Sequence, residues 1–533
     1  MNVANPDVAY EVSINPATLE EIGRLPLTTQ EEFTTVFNRA RDAQKIWAQT
    51  SYKERASYVL KMADYIRDNA DELAGIISQD NGKLKIDALN TEVIPSIMSC
   101  TWYAKNAPKV LKDELLPPAS MMFFNKWSKR VFQPIGVLGI ISPWNYPFSI
   151  PFGELVMGLM AGNAVVLKVA AQTPMVGEAI ERVVKASGLP DGLFTHVVGS
   201  GSKVLSSMLE NGADKIFFTG STFAGKQVMK SCAEYLVPCS LELGGNDAMI
   251  VLEDAPIERA VNGGMWAAYQ NAGQSCGGVK RVYVHEKVYD DFIKMAVAKT
   301  KALRHGDNGH DADMGSVTTE KQFQQLEKEL QMALDNGAQI AAQSQAVGNQ
   351  NGYFFPATLL TDVTSDMEFM QDEIFGPFMP VVKVSSEAEA IELANKSQYG
   401  LTASVWTRNN AHGKKVAKQL HAGAVTVNDH LYTHGLSNTE WGGPKESGIG
   451  RTHGALGLLE VAESKIVNWD ILPTLSKNNA WWFPFDEATY ETMLKMTAYA
   501  KPRSAFEWIG LNLTVIPKVM KKMMSSWKVD NDR

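Results

Sequence analysis

The stretch IFFTGSTFAGKQV, residues 216 to 228, decides the fold class. An apolar, strand-like run passes through Thr219, Gly220 and Ser221 into a helical pattern, with Ser221 or Thr222 available as the helix cap. Free backbone N–H groups at such a helix start attract a pyrophosphate. An ordinary capped helix would give the same letters, but the order strand, glycine turn, helix favours a nucleotide site.

Apolar stretches of strand length alternate with helical patterns on both sides of this segment. The first series comprises residues 135–141, 164–169, 215–218 and 248–252, and a second begins near Arg281 and continues through 378–384, 402–407 and 424–428. Such alternation predicts parallel sheets with helices on both faces, which bind ligands beyond the carboxyl ends of their strands. Two helical patterns between Thr29 and Asp80 predict a helical cover.

The bulk composition limits the function classes. The chain has 533 residues, of which 45% are hydrophobic and 21% charged, as in a globular protein of two or three domains. A net charge of −8 without long like-charge blocks argues against a nucleic-acid partner. Cys100, Cys232, Cys239 and Cys276 suit neither a disulfide framework nor a zinc site, and the N-terminus lacks a secretory pattern. We therefore expect a cytoplasmic protein.

Three segments carry candidate catalytic side chains. Cys276, in QNAGQSCGGVKR, has small neighbours that leave room for a substrate at a nucleophilic thiolate, although a small buried hydrophobe is the alternative. Glu242 ends an apolar strand before two glycines, where a carboxylate could act as a general base or reach solvent. In IISPWNYPF two prolines bracket Asn145, whose amide could donate to an oxyanion, although a rigid turn explains the motif equally.

Six ordered motifs together resemble the aldehyde dehydrogenase superfamily. They are PWNYP at 143–147, FTGST at 218–222, LELGGN at 241–246, GQSC at 273–276, EIFGP at 373–377 and GGPKESGIGR at 442–451. The resemblance implies an α/β fold with a Rossmann-like cofactor domain, an α/β catalytic domain and a small β oligomerisation hairpin. The hairpin implies a homodimer or a homotetramer.

The resemblance also implies where the domains begin and end. The cofactor domain would comprise residues 1–115 and 135–244, the oligomerisation hairpin 116–134 and the catalytic domain 245–445. Residues 446–472 would return to the cofactor domain and supply a further oligomerisation strand, and residues 473–533 would form a C-terminal extension.

Site residues are carried over from the resemblance position by position. Cys276 resembles the nucleophile, Glu242 the base and Asn145 the oxyanion donor. The implied contacts to NAD or NADP are Ile141, Pro143, Trp144, Lys168, Ala171, Gly201, Phe218, Thr219, Gly220, Ser221, Gly225, Leu243, Glu373 and Phe375. The implied reaction oxidises an aldehyde: the Cys276 thiolate attacks it, hydride passes to nicotinamide, and water deprotonated by Glu242 hydrolyses the thioester.

Departures from the family pattern bear on specificity. Ala171 stands where NAD-preferring members commonly carry a carboxylate, so no charge repels a 2′-phosphate and we expect NADP to be tolerated. Asn246, Glu440 and Trp441 replace more usual residues and leave the subfamily open. A semialdehyde is the alternative to an apolar aldehyde. A CoA-acylating relative and a binding protein without turnover are more distant alternatives, because Glu242 favours hydrolysis.

The C-terminal extension combines apolar and basic residues. The apolar ones are Trp508, Ile509, Leu511, Leu513, Ile516, Met520 and Trp527, and the basic ones are Lys518, Lys521, Lys522 and Lys528. A basic amphipathic segment can lie on a membrane surface, so a peripheral membrane contact is one of two interpretations and the less favoured one. The alternative is a helix that packs against its own subunit or a neighbouring one.

Overall fold

The computed structural model describes residues 9–119, 123–309 and 311–526. Residues 120–122 of the predicted hairpin, and Trp527 and Lys528 of the extension, lie outside the described residues. The chain divides into two compact units, the first comprising Met1–Leu111 and Gln133–Glu463 and the second Lys112–Phe132 and Ser464–Arg533. The finer division into six domain segments stays a prediction.

The described residues form strands and α-helices throughout the chain. The strands are β1 Tyr10–Ile14, β2 Glu21–Pro26, β3 Glu114–Leu116, β4 Lys126–Pro134, β5 Val137–Ile141, β6 Ala164–Lys168, β7 Phe194–His196, β8 Lys215–Thr219, β9 Cys239–Glu242, β10 Asp247–Val251, β11 Val279–His285, β12 Arg304–His305, β13 Gln339–Gln343, β14 Gln345–Ala346, β15 Thr358–Thr361, β16 Phe378–Val384, β17 Thr402–Trp406, β18 Ala424–Val427, β19 Gly448–Ile449 and β20 Ala462–Asp470. The helices are α1 Gln30–Trp47, α2 Tyr52–Asp68, α3 Ala70–Asn81, α4 Lys85–Ala88, α5 Ile94–Val110, α6 Ser149–Ala161, α7 Pro174–Ser187, α8 Gly201–Glu210, α9 Thr222–Glu234, α10 Ile257–Tyr269, α11 Glu286–Ala302, α12 Glu320–Asp335, α13 Glu387–Asn395, α14 Asn410–Ala417, α15 Gly454–Glu460, α16 Glu487–Ala500, α17 Ala505–Thr514 and α18 Ile516–Met524.

A six-stranded sheet in the first unit has the order β19-β9-β8-β5-β6-β7. Strands β5 to β9 run parallel, and their register pairs Ile141 with both Lys168 and Phe218, and Thr219 with Glu242. Strands β5, β6 and β8 are buried along their whole length, which is why they read as continuous apolar runs. The carboxyl ends of these parallel strands, where the predicted motifs lie, therefore meet at one edge of this sheet.

A seven-stranded sheet in the same unit has the order β13-β15-β16-β11-β10-β17-β18 and is packed around an extensive apolar core. The sequence grouped residues 248–252 with the first series of strands, and that grouping was wrong. β10 lies between β11 and β17 in the second sheet. The chain crosses between the sheets in the short turn after Glu242, and an apolar run alone does not indicate which sheet it joins.

The N-terminal helical cover has three helices, not the predicted two. Thr29 and Glu32 form a capping box at the start of α1, and the Ser51 side chain caps α2. Asn69 ends α2, and α3 begins at the next residue. The break was missed because neither glycine nor proline marks it.

The second unit contains a three-stranded sheet of order β20-β4-β3. The Lys126 ammonium and the Asn125 amide both donate to the Asp470 carboxylate at 2.7 Å. Helices α16 to α18 of the C-terminal extension form a separate small apolar core in this unit.

Candidate active site

Cys276 follows a turn whose backbone is held in an unusual conformation. Asn271 and Ala272 have φ angles of 54° and 52°, in the left-handed region that side-chain-bearing residues seldom adopt. Lys280 donates from Nζ to the carbonyl oxygen of Gly273 at 2.6 Å, which ties the end of this turn to β11. Such strain persists where the surroundings fix it. The turn leaves the Cys276 side chain partly exposed.

Asn145 is fixed from both ends of its residue. Its side-chain amide donates to the carbonyl oxygen of Gln274 at 3.1 Å, two residues before the cysteine. Its own carbonyl oxygen accepts from Lys83 Nζ and from the Asn271 amide, both at 2.8 Å. An amide nitrogen carries two hydrogens, so the bond to Gln274 leaves one that can be donated to an alkoxide.

Glu242 ends β9 as a buried carboxylate. Its Oε2 atom has no hydrogen-bond partner among the described residues, and a Cβ on Gly442 would lie 2.6 Å from its Oε1 atom. Burial raises the pKa of Glu242 well above its usual value, the Glu154 carboxyl raises it further, and the Arg451 guanidinium opposes both effects. A carboxylate with a raised pKa is a stronger base than an ordinary glutamate, as a general base would need to be.

The turn after Glu242 brings β9 against the cysteine. A Cβ on Gly245 would lie 2.2 Å from the Cys276 carbonyl oxygen, and a Cβ on Gly244 would lie 2.5 Å from Glu373 Oε2. At residue 245 only glycine permits the approach, because the atom that it meets belongs to the backbone. The two glycines of LELGGN thus join the candidate base, the candidate nucleophile and the EIFGP segment.

The thiol of Cys276 sits among acidic groups. Its pKa is raised by burial and by the neighbouring carboxyl groups of Glu373, Asp247 and Glu242, and Lys280 partly offsets them. The protonated thiol is therefore the favoured resting form. Attack on a carbonyl needs the thiolate, so a proton acceptor is required within the site.

The predicted nucleotide contacts gather at the carboxyl edge of the six-stranded sheet. The Ser221 hydroxyl caps α9 by accepting from the backbone of Ala224 at 3.3 Å. A Cβ on Gly225 would lie 2.4 Å from the Leu243 side chain, so α9 packs directly against the strand end. At the strand ends or in the turns after them lie Ile141, Pro143 and Trp144 from β5, Lys168 and Ala171 from β6, Phe218, Thr219, Gly220 and Ser221 from β8, and Leu243 from β9. Gly201 begins α8, the helix that follows β7.

The geometry of this edge fits a dinucleotide. The start of α9 supplies free backbone N–H groups. Gly220 has no side chain, so it leaves the approach to these groups open. Lys168 is buried at the end of β6, and burial lowers its pKa. A hydroxyl-rich ligand would give this ammonium and the helix start the hydrogen-bond partners that they favour.

Glu373 lies against the turn after Glu242, and Phe375 lies against Trp144. The Phe375 ring stands edge-on to the Trp144 ring at 5.4 Å, and Lys280 Nζ lies 5.5 Å from its centre. Burial raises the pKa of Glu373 to about 8, against the effect of Lys280. Glu373 Oε1 has no hydrogen-bond partner among the described residues. These contacts connect the PWNYP and EIFGP motifs.

Sequence reasoning missed a buried ion pair that supports PWNYP. Lys83 and Glu92 meet at 2.6 Å with both side chains fully buried. Glu92 also accepts from the backbone N–H groups of Phe148 and Ser149, and Lys83 lies over the Tyr146 ring at 4.4 Å. Lys83 lies between α3 and α4, and Glu92 lies between α4 and α5, both beyond the helical cover that the sequence predicted up to Asp80. A charged residue outside a recognised motif gives no local signal of burial. Lys280 was missed because no sequence motif relates a lysine at this position to Cys276.

Aromatic rings line the region beside the cysteine. A Cβ on Gly277 would lie 2.6 Å from the Trp441 ring, and His434 stands 5.2 Å from Trp441 and 5.1 Å from Tyr146. Burial and the neighbouring His453 ring lower the pKa of His434 to about 3. The wall formed by the Tyr146, His434 and Trp441 rings is therefore uncharged at neutral pH.

A Rossmann-like sheet edge beside a cysteine and a carboxylate defines the class of protein: a nicotinamide-dependent oxidoreductase. A sequence model of the aldehyde dehydrogenase family matches residues 5–467. The chain therefore belongs to the aldehyde dehydrogenase family, and it is an NAD(P)-dependent aldehyde dehydrogenase.

Individual relatives agree with this assignment. A 4,4′-diapolycopene aldehyde oxidase of Methylomonas sp is 33% identical, with 90% of this chain and 89% of that protein covered. A Mycolicibacterium smegmatis protein named as an NADP(+) succinate-semialdehyde dehydrogenase is 35% identical, with 87% and 90% covered. The NAD+ complex of an aldehyde dehydrogenase from Bacillus cereus matches with a TM-score of 0.82 and 33% identity, over 87% of this chain and 94% of that one. These matches confirm the predicted α/β, Rossmann-like fold.

Replacing Arg451 should change the pH dependence of turnover. Its guanidinium favours the ionised form of Glu242, so Arg451→Gln should raise the pKa of that carboxyl. The pH below which kcat falls should then move up by roughly 0.5–1 pH unit, or about 1 kcal/mol. Arg451→Lys keeps the charge and should retain the wild-type profile. An unshifted profile for Arg451→Gln would show that the guanidinium does not act on Glu242.

Proposed function

We propose that this enzyme oxidises an aldehyde to the carboxylic acid with NAD or NADP, through a thioester on Cys276 that water hydrolyses. The observation that carries the proposal is the close approach of Gly245 to the Cys276 backbone. It puts the turn after Glu242 directly against the cysteine. A nucleophile, a base and an amide donor then share one small site.

The first stage forms a bond between sulfur and the aldehyde carbon. Glu242 takes the proton of Cys276, because the acidic surroundings disfavour a free resting thiolate. The thiolate attacks the carbonyl carbon, and the oxygen that becomes an alkoxide accepts hydrogen bonds from the Asn145 amide and the Cys276 backbone N–H. When bound, nicotinamide supplies the acceptor for the hydride that leaves this carbon.

The second stage hydrolyses the thioester. Glu242 first releases the proton that it took from Cys276 to solvent. It then removes a proton from water, and the resulting hydroxide attacks the thioester carbon. Asn145 again stabilises the oxygen, the carbon–sulfur bond breaks, and the acid leaves. Its raised pKa lets Glu242 hold the abstracted proton.

An uncharged aldehyde is the substrate class that the surroundings favour. The wall of Trp441, His434 and Tyr146 carries no charge, and two buried lysines of the site have protein partners. Lys83 pairs with Glu92, and Lys280 donates to Gly273. A semialdehyde remains the second candidate because of the name given to the Mycolicibacterium smegmatis relative. Steady-state rates for aliphatic, aromatic and semialdehyde substrates, each with NAD and NADP, decide between the two.

We also propose that the enzyme is a homodimer or homotetramer that functions in the reducing cytoplasm. The strands β3, β4 and β20 form a small sheet of the kind that the family resemblance assigns to subunit pairing. Cys100, Cys232, Cys239 and Cys276 are all free thiols, which suits a reducing compartment.

Removing the Cys276 thiol should abolish oxidation. Cys276→Ala should lower kcat/KM at least about 10³-fold, because no other group supplies the nucleophile. Cys239→Ala is the matched control, since Cys239 is also partly exposed but lies at the far end of β9 from the site. It should retain nearly the wild-type rate. The readout is absorbance of the reduced cofactor, and equal activity of the Cys276→Ala variant would refute the mechanism.

A negative charge at residue 171 should discriminate against NADP. Ala171 follows Lys168 in the partly exposed turn after β6. Ala171→Glu should weaken NADP binding at least about tenfold, the effect of a repulsion of ~1.4 kcal/mol, with NAD binding unchanged or improved. Ala171→Gln is the neutral control of matched size. Dissociation constants from quenching of protein fluorescence provide the test, and an equal loss for both cofactors would remove Ala171 from the 2′-phosphate site.

A further inference from the structure

The C-terminal extension uses part of its apolar surface inside its own unit. Its core consists of Ala480, Met496, Tyr499, Val515, Val519 and Met523. Leu511, Ile516 and Met520 pack against this cluster. The predicted amphipathic segment has six described apolar residues. Three of them therefore pack against their own unit, as the alternative interpretation predicted. The other three do not.

Helix α17 presents apolar side chains that remain exposed. None of its ten residues is buried, and Phe506 and Leu513 are 87% and 73% exposed. Phe506, Ile509 and Leu513 are spaced i, i+3 and i+7, which puts them on one face of the helix. We call these three residues the α17 stripe. Trp508 is exposed on the same helix.

A second exposed apolar group precedes α16. Trp482, Phe483 and Phe485 are exposed, and the last two rings stand 4.7 Å apart. Lys522 of α18 donates to the Pro484 carbonyl oxygen at 2.8 Å and lies 5.3 Å from the Phe485 ring. These contacts attach the loop that carries Trp482, Phe483 and Phe485 to α18.

The same region is strongly basic, although the protein is acidic. Residues 501–526 have a net charge of +4, whereas the whole chain has −8. The charged side chains are Lys501, Arg503, Lys518, Lys521 and Lys522, with Glu507 as the acidic one. On α18, Val519 and Met523 are buried in the core, whereas Lys518 and Lys521 are exposed.

We propose that the α17 stripe and the exposed lysines of α18 bind the surface of an anionic lipid bilayer. Apolar and aromatic side chains beside lysines suit a helix that lies in the membrane interface, where the rings enter the acyl boundary and the ammonium groups contact lipid phosphates. The ten residues of α17 span only about 15 Å.

Attachment would be to one leaflet. Within the ranges that the structure describes, no helix combines the length and apolarity needed to cross a bilayer. A second copy of the chain is a less suitable occupant, because its overall negative charge is low in density compared with a surface of anionic head groups. This inference does not depend on the proposed catalytic mechanism.

Sedimentation of the full-length protein with lipid vesicles tests the proposal. Vesicles of phosphatidylcholine mixed with phosphatidylglycerol should bind the protein, and vesicles of phosphatidylcholine alone should bind it at least tenfold more weakly. The double variant Phe506→Ser/Leu513→Ser should lose at least tenfold in binding to the anionic vesicles. Lys518→Glu/Lys521→Glu should lose binding to the same extent.

The matched control replaces exposed apolar residues of the first unit. Phe223 and Leu236 are 76% and 91% exposed, so Phe223→Ser/Leu236→Ser removes comparable surface and should bind vesicles like wild type. Circular dichroism and light scattering establish that each variant keeps its fold and oligomeric state. Equal binding by wild type and the α17 variant would overturn the proposal. A changed oligomeric state of that variant without vesicle binding by wild type would instead assign the stripe to a second copy.

Discussion

The candidate site depends on the close approach of two backbone segments, the Gly244–Gly245 turn and the carbonyl group of Cys276. A Cβ on Gly245 would lie 2.2 Å from that carbonyl oxygen, so no side chain fits. At this turn the chain crosses from the six-stranded to the seven-stranded sheet. β9 therefore ends with the proposed base at the crossing, and the loop before β11 brings the cysteine to the same point. The connection between sheets sets the geometry of the chemistry.

This arrangement leaves polar atoms buried without partners. Glu242 Oε2, Glu373 Oε1 and Asn145 Oδ1 make no hydrogen bond among the described residues. Each such atom costs about 1–3 kcal/mol, so the surrounding structure must hold it in place. The Lys83–Glu92 pair helps to hold the PWNYP segment in place. Removing one partner of such a buried pair costs about 3–5 kcal/mol. Substrate, water and cofactor would supply partners that the protein alone lacks.

Sequence patterns predicted the strands that carry the site because parallel strands buried on both faces read as apolar runs. Thr219, Glu242 and Asn145 stand at or just after strand ends, where turn residues mark them. The same patterns misassigned β10, because its sheet is decided by the direction of the turn before it. They also missed the break at Asn69, which neither glycine nor proline marks, and the role of Lys83, because the sequence does not show whether a lysine in a loop is buried. Tertiary packing decides both the Lys83–Glu92 contact and the sheet that β10 joins.

Trapping the acyl-enzyme tests the central claim most directly. Glu242→Gln enzyme mixed with an aldehyde substrate and NAD or NADP, then quenched in acid, is measured by intact-protein and peptide mass spectrometry. We expect one acyl group per subunit, on the peptide that contains Cys276. It should form more slowly than in the wild-type enzyme, because solvent must take the Cys276 proton in place of Glu242, and it should persist because hydrolysis lacks its base. An acyl group on another cysteine, or turnover by the variant at the wild-type rate without any adduct, would contradict the proposed roles of Cys276 and Glu242.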